Sequence, residues 1–171
     1  MMSAFWPDHA FGPFYRAAEV APVLIDRTSG TAIGDMTEVG GLAASFDGID
    51  DQSGASSSAK TATLDAFVGK TLAVPAAIDH IVCYGANNQG FLVNDNGDAT
   101  IELRAKQGVA PTLSSEGTLL GSITFTDTSV REVKTINSND TTTLWDHVWI
   151  RILPATLVST RNAELEIWAA G

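Results

Sequence analysis

From Ile78 to Trp168 the chain repeats one pattern, short runs in which apolar and polar residues alternate, cut by polar turns. Ile101-Glu102-Leu103-Arg104-Ala105-Lys106 alternates strictly, and Ile123-Thr124-Phe125-Thr126 does the same. Val148, Ile150 and Ile152 share one face against His147, Trp149 and Arg151, while Leu165 and Ile167 oppose Glu164, Glu166 and Trp168. A period of two puts successive side chains on opposite faces, so these runs predict half-buried antiparallel strands. Ile78–Tyr84 reads as a nearly continuous apolar strand and Val130–Ile136 as a weaker, charged one. Ser53–Ser58 reads as loop, Asn94-Asp95-Asn96-Gly97-Asp98 carries an Asn-Gly hairpin signal, and Asn137–Thr141 is a polar turn. No run predicts a helix of ten or more residues, and no internal repeat is present. Many short strands with frequent turns predict an all-β sandwich or barrel.

The N-terminal part reads differently. Phe5, Trp6, Phe11, Phe14 and Tyr15 are five of the chain's thirteen aromatic residues (seven Phe, four Trp, two Tyr). Pro7, Gly12 and Pro13 interrupt any regular element among them. Such an arm buries its rings either against its own domain or in a neighbouring subunit, since clustered aromatics dominate contact energetics where they lose water. Val20–Asp26 reads as a strand ended by Ser29-Gly30, with Pro22 restricting it to a sheet edge. The expected division is an arm over residues 1–36 and a sandwich over 37–171.

Composition narrows the function. Ten basic and twenty acidic residues give a formal charge of −10, and the basic ones are scattered. Nucleic-acid binders concentrate positive charge to neutralise phosphates, so nucleic acid is not expected as a partner. No run reaches the roughly 18 apolar residues of a membrane-spanning helix. The first residues lack the basic start and apolar stretch of a secretory signal, which predicts a protein that stays in the cytoplasm or leaves it in an assembled particle. The single cysteine, Cys83, sits in an apolar run and reads as a core residue; His80, an odd number of positions away, falls on the opposite face of the strand.

No nucleophile elbow, phosphate loop or dinucleotide fingerprint occurs. His9, His80 and His147 have no metal-like spacing, and Asp95–Asp98 lacks the alternating ligands of a calcium loop. Asp50-Asp51 lies in a polar loop and reads as solvated surface. A glycosidase would need two carboxylates held apart across a cleft, an arrangement that sequence alone does not report. The chain is therefore expected not to be an enzyme. Trp149 and Trp168, on strand faces opposite the apolar stripes, read either as glycan-stacking platforms or as covers of the sandwich's outer faces.

Four segments carry a resemblance: Ala44-Ser45-Phe46-Asp47-Gly48; Val68–Leu72 with Ala77-Ile78-Asp79-His80-Ile81-Val82-Cys83-Tyr84-Gly85; Trp145–Arg151; and Ala163-Glu164-Leu165-Glu166-Ile167-Trp168. In order and spacing the chain from Ala44 to Trp168 resembles a galactose-binding-like domain of the discoidin (coagulation-factor type C) superfamily. The resemblance implies an antiparallel jelly-roll β-sandwich that binds glycans, lipid head groups or proteins through loops at one end. It also implies a structural calcium ion, carried over here onto Asp47 and Glu164, with Asp50 nearby. The chain departs from that pattern at Ile49, where Asn is usual, and at Gln52 or Ser53, where a Thr is expected.

Lone β domains of this kind with strings like Tyr84-Gly85-Ala86-Asn87-Asn88-Gln89-Gly90-Phe91 also resemble phage structural proteins. The expectation is a non-catalytic virion protein of a tailed phage or phage-like particle: capsid decoration, head spike, fibre or tail component. Its arm would hold other virion proteins (capsid, portal or tail) or further copies of itself, and its jelly roll would meet host-surface glycan. The alternative is a stand-alone extracellular carbohydrate-binding module.

Overall fold

A computed structural model describes residues 20–50, 56–87, 89–93, 97–128 and 130–171. The strands are β1 (Val23–Leu24), β2 (Thr31–Gly34), β3 (Glu38–Val39), β4 (Ser58–Thr63), β5 (Ala66–Ala76) and β6 (Ile78–Tyr84). They continue with β7 (Asp98–Lys106), β8 (Thr118–Thr126), β9 (Val133–Asn137), β10 (Trp145–Pro154), β11 (Val158–Asn162) and β12 (Glu164–Ala169). A short 3-10 turn spans Leu42–Phe46.

Two antiparallel sheets face each other, one ordered β1-β12-β6-β9 and the other β2-β5-β10-β7-β8. A third, small sheet, β11-β4-β3, lies at one end. The core forms where the apolar stripes meet: Ile81, Cys83, Leu165 and Ile167 from one sheet against Val68, Ile101, Leu103, Val148, Ile150 and Ile152 from the other. These are the positions that the alternation singles out, because only one face of each strand can leave water. The expected all-β sandwich is what the chain forms.

The expected boundary at residues 36/37 falls inside the sandwich. β1 pairs with β12, β2 pairs with β5, and Met36 is buried in the core. β1 is an edge strand, as expected, although Pro22 lies just before it rather than within its ladder. The arm residues Phe5, Trp6, Phe11, Phe14 and Tyr15 lie outside the described residues, as do most of the Asn94–Asp98 signal and Asp51.

Strand direction gives the sandwich two different ends. β6, β8 and β10 run into one end, from which β5, β7, β9 and β12 leave. The described residues of the connections 85–97, 127–132 and 155–163, together with the small sheet, form a crown there. Val20 and Gly171 lie beside each other at the opposite end.

Candidate functional site: the crown and the turn at Asp47

The crown is built on β11. β4 pairs with one side of it, and on the other side runs the 85–93 loop, through Arg161 N–H to Phe91 O at 2.9 Å and Val93 N–H to Ser159 O at 2.9 Å. That loop is a tight reversal: Ala86 and Gly90 exchange backbone hydrogen bonds at 2.8 and 2.9 Å, and Gln89 N–H reaches Ala86 O at 3.1 Å. Asp127, fully buried, accepts the Leu92 N–H and sits against Gly90, whose φ of +60° is the left-handed region. A Cβ at that position would fall on the Asp127 carboxylate, so glycine is needed for sterics as well as conformation. Asn87 stands exposed at the loop's tip, and Gln89 carries a buried side-chain oxygen with no partner.

Arg161 lies beside this loop, in register with Ala59 and, beyond it, Glu38 on β3. Arg27, Arg104, Arg131 and Arg151 are all ion-paired with carboxylates. The Arg161 guanidinium differs: its Nε and Nη1 are buried without a hydrogen-bond partner. Burial depresses its pKa, with Glu38 pulling the other way. Glu38 in turn accepts from Thr61 Oγ1, which with Arg161 and Lys60 holds its carboxyl below the usual range. A desolvated guanidinium with unused donors is a strong binder of any planar or polyhydroxylated acceptor that reaches it. Thr160 beside it also has a buried hydroxyl without a partner.

Of the residues that the resemblance assigned to calcium, Asp47 lies near Glu164, but Glu164 and Asp50 are each held by an arginine. Glu164, with a side chain 1% exposed, gives Oε1 to Arg27 Nε at 2.7 Å and Oε2 to the Gly48 N–H at 3.1 Å. Burial, with the nearby Asp47 carboxylate adding to it, pushes its pKa up to about 7, against the opposing pull of Gly48 and Arg27. Asp50 pairs with Arg131 at 2.5 Å, and Asp47 accepts the Ile49 N–H at 2.9 Å within its own turn. Among the described residues no three His, Cys, Asp or Glu side chains are grouped as a metal would need. Among the described residues the carboxylates are engaged by Arg27, Arg131 and backbone N–H groups, and this donor set does not fit a calcium ion.

The two tryptophans part company. Trp149 is fully buried, so the stacking-platform reading fails for it. The 107–117 segment folds across the outer face of its sheet as a strap: Trp149 Nε1 donates to Ser114 O at 2.9 Å, and Gly117 closes over the ring. The strap is held by Arg104 Nη1 to the Ser115 and Glu116 carbonyls at 2.9 and 3.1 Å, by Lys106–Glu116, and by Ser114 Oγ to Asp65 Oδ2 at 2.6 Å. Trp168 is half-buried on the other sheet, its ring stacked on His80 with centroids 5.3 Å apart and planes 13° apart. His80 thus points away from the buried Cys83, as strand parity requires. One face of Trp168 is already taken.

No family model matches the chain, and no curated protein matches it in sequence. Solved structures do match in shape. A serum F-lectin (fucolectin) of the striped bass, Morone saxatilis, aligns with a TM-score of 0.65 at 16% identity, over 90% of this chain and 50% of that one. A family 32 carbohydrate-binding module from Clostridium perfringens, in complex with GalNAc-β-1,3-galactose, aligns at 0.63 and 14% identity, over 86% of this chain and all of its own. The lectin domain of lectinolysin complexed with Lewis B antigen aligns at 0.57 and 14% identity, over 83% and 94%. The fold is galactose-binding-like. In chain length the sandwich corresponds to a complete carbohydrate-binding module and to half of the bass lectin chain.

Arg161 was not singled out in the sequence. The signal available, Thr-Arg-Asn before Ala163-Glu164, gives no hint that its neighbours would leave a guanidinium unpaired.

Proposed function

We propose that this chain is a non-catalytic glycan-binding module that meets its ligand with the crown, Arg161 supplying the principal donors. The observation that carries the reading is half-buried Arg161 beside the 85–93 loop, with its Nε and Nη1 left without a hydrogen-bond partner, at the end opposite Val20 and Gly171. Sugar hydroxyls are acceptors as well as donors, and a buried guanidinium left without partners gains most from meeting them. The amides of Asn87 and Gln89 and the hydroxyl of Thr61 would add the mixed donor–acceptor edge that saccharides require. Similar structures whose ligands are galactose, Lewis antigens or fucose support the class of ligand.

The test is a glycan array followed by calorimetry on the strongest hit. Arg161→Ala is expected to weaken binding about 10- to 100-fold, the worth of a charge-assisted hydrogen bond. Trp168→Ala, on the outer face away from the crown, is expected to leave affinity within about twofold. An unchanged affinity for the Arg161 variant, or the reverse ranking, overturns the reading.

The mounting of the module is a second proposal. Val20 enters opposite the crown, so a particle that holds the preceding residues would display the crown outward, in line with a virion-borne binder. A stand-alone module is served equally well by this fold, and the similar structures named above are lectins and carbohydrate-binding modules. Density-gradient sedimentation of lysate from the native source separates the two: co-sedimentation with megadalton particles supports the virion role, and recovery as a small species sinks it.

A further inference from the structure

Glu164 opens the last strand with an almost fully buried carboxylate facing the turn at Asp47-Gly48. An anion in such a position must meet a cation or stay protonated, because its lost hydration exceeds what neutral hydrogen bonds return. The resemblance implies calcium there. The cation actually present is Arg27, which comes from the start of the sandwich and spans Glu164 at 2.7 Å and Glu166 at 2.5 Å with a single guanidinium. We propose that Arg27 replaces the structural calcium of this fold and makes the module independent of divalent ions.

The surroundings are built to present that arginine. The turn that carries it is closed by Asp26, whose carboxylate accepts Thr28 N–H and Oγ1, both at 2.8 Å. Lys70, 4% exposed, reaches out from β5 and donates to the carbonyls of Asp26, Arg27 and Ser29. Its ammonium also lies 5.0 Å from the centre of the Phe46 ring, in the 3-10 turn just before Asp47. The chain thus closes a circuit: Phe46 to Lys70, Lys70 to the 26–29 turn, Arg27 to Glu164, Glu164 back to Gly48. Two fixed positive side chains already answer the carboxylates in this region. A divalent ion would have to expel the guanidinium and then face Lys70 at close range, and both steps oppose its binding. Arg27 and Glu164 are 137 positions apart, so the pair joins the first part of the sandwich to its last strand, the task a structural metal performs elsewhere.

The experiment is thermal unfolding of the full chain with millimolar EDTA, and with calcium chloride against ionic-strength-matched sodium chloride, alongside calcium titration calorimetry. The expected result is the same Tm to within about 1 °C in all three conditions and no saturable calcium heat, whereas loss of the arginine costs about 5 °C or more. Arg27→Met supplies that second arm, and Glu164→Gln introduced beside it is expected to recover at least half of the loss, since it removes the anion that lost its partner. Should Arg27→Met alone be unfolded, the double variant is still expected to fold. A fall in Tm on chelation, calcium binding near one per chain, an unaffected Arg27→Met or a double variant no better than the single one each overturns the proposal. Because the readouts are stability and calcium heat, failure here is distinct from failure of the glycan reading.

Discussion

Replacing Trp149 by alanine distinguishes a structural tryptophan from a sugar platform. The indole is fully buried between the strap and the five-stranded sheet, and its residue pairs across the ladder with Gly69, where a Cβ would strike the Val148 carbonyl and Trp149 Cβ. Truncating a buried Trp to Ala costs about 3–5 kcal/mol, and the Nε1–Ser114 O hydrogen bond adds about 1 kcal/mol. At about 2–4 °C per kcal/mol for a chain of this size, Tm should fall by about 8–24 °C. Trp149→Phe keeps most of the ring but orphans the Ser114 carbonyl, which should cost about 1–3 kcal/mol. The assay is urea unfolding followed by circular dichroism, with glycan binding measured on the folded fraction. Stability should fall in the order wild type, Phe, Ala, while affinity for the array hit stays put. A Trp149→Ala protein as stable as wild type that has lost glycan binding would refute the argument.

Three further expectations follow from other parts of the molecule. Glu116 is held near a pKa of about 2 by Lys106, Thr112 and Leu113. A depressed carboxylate pKa gives stability that is complete above the unfolded value near 4.5 and is lost as pH falls through 2, so the Thr112 and Leu113 amide resonances should move over that acid window, and Glu116→Gln should produce the same change at neutral pH. Gly90→Ala should lower stability by about 2 kcal/mol and weaken glycan binding, because the added Cβ meets Asp127 at a positive φ; an unchanged urea midpoint counts against the described loop. Cys83 is fully buried, its thiol pushed up to about 12 by burial, so it should resist maleimide at neutral pH until urea unfolds the chain, as mass spectrometry of the adduct would report.

How far the fold could be read from the sequence depended on whether a strand had one wet face. β7, the end of β8, β10 and β12 show alternation and were legible, and β6 was legible as an apolar run with the structure's own limits, Ile78–Tyr84. β5 was recognised only in part, at Val68–Leu72, since the core covers one of its faces and Trp149 the other, and Gly69 and Pro75 break its pattern. β4 and β11 hold Ser, Thr and Asn with little apolar content, because they build the crown rather than the core. The site was less legible than the fold. Asp47, Asp50 and Glu164 were found by likeness of motif, yet the cations that Glu164 and Asp50 meet, Arg27 and Arg131, are remote in sequence. Trp149 stands on the outer side of its strand as the alternation requires; what the alternation cannot convey is that eleven residues of strap, 107–117, fold back over that side.

β10 lies in the middle of the five-stranded sheet with core beneath it and strap above, while the crown rests on short strands and a single tight loop. Local opening follows burial of this kind, so amide exchange should be graded along the molecule: slowest at Val148–Ile152, where exchange waits for global unfolding, and fastest around Asn87 and Gln89. The module would then be rigid where it is carried and compliant where it meets a ligand. A crown that can shift by fractions of an ångström without disturbing β10 can be re-specified by substitutions in the 85–93 loop while the barrier to unfolding stays where it is.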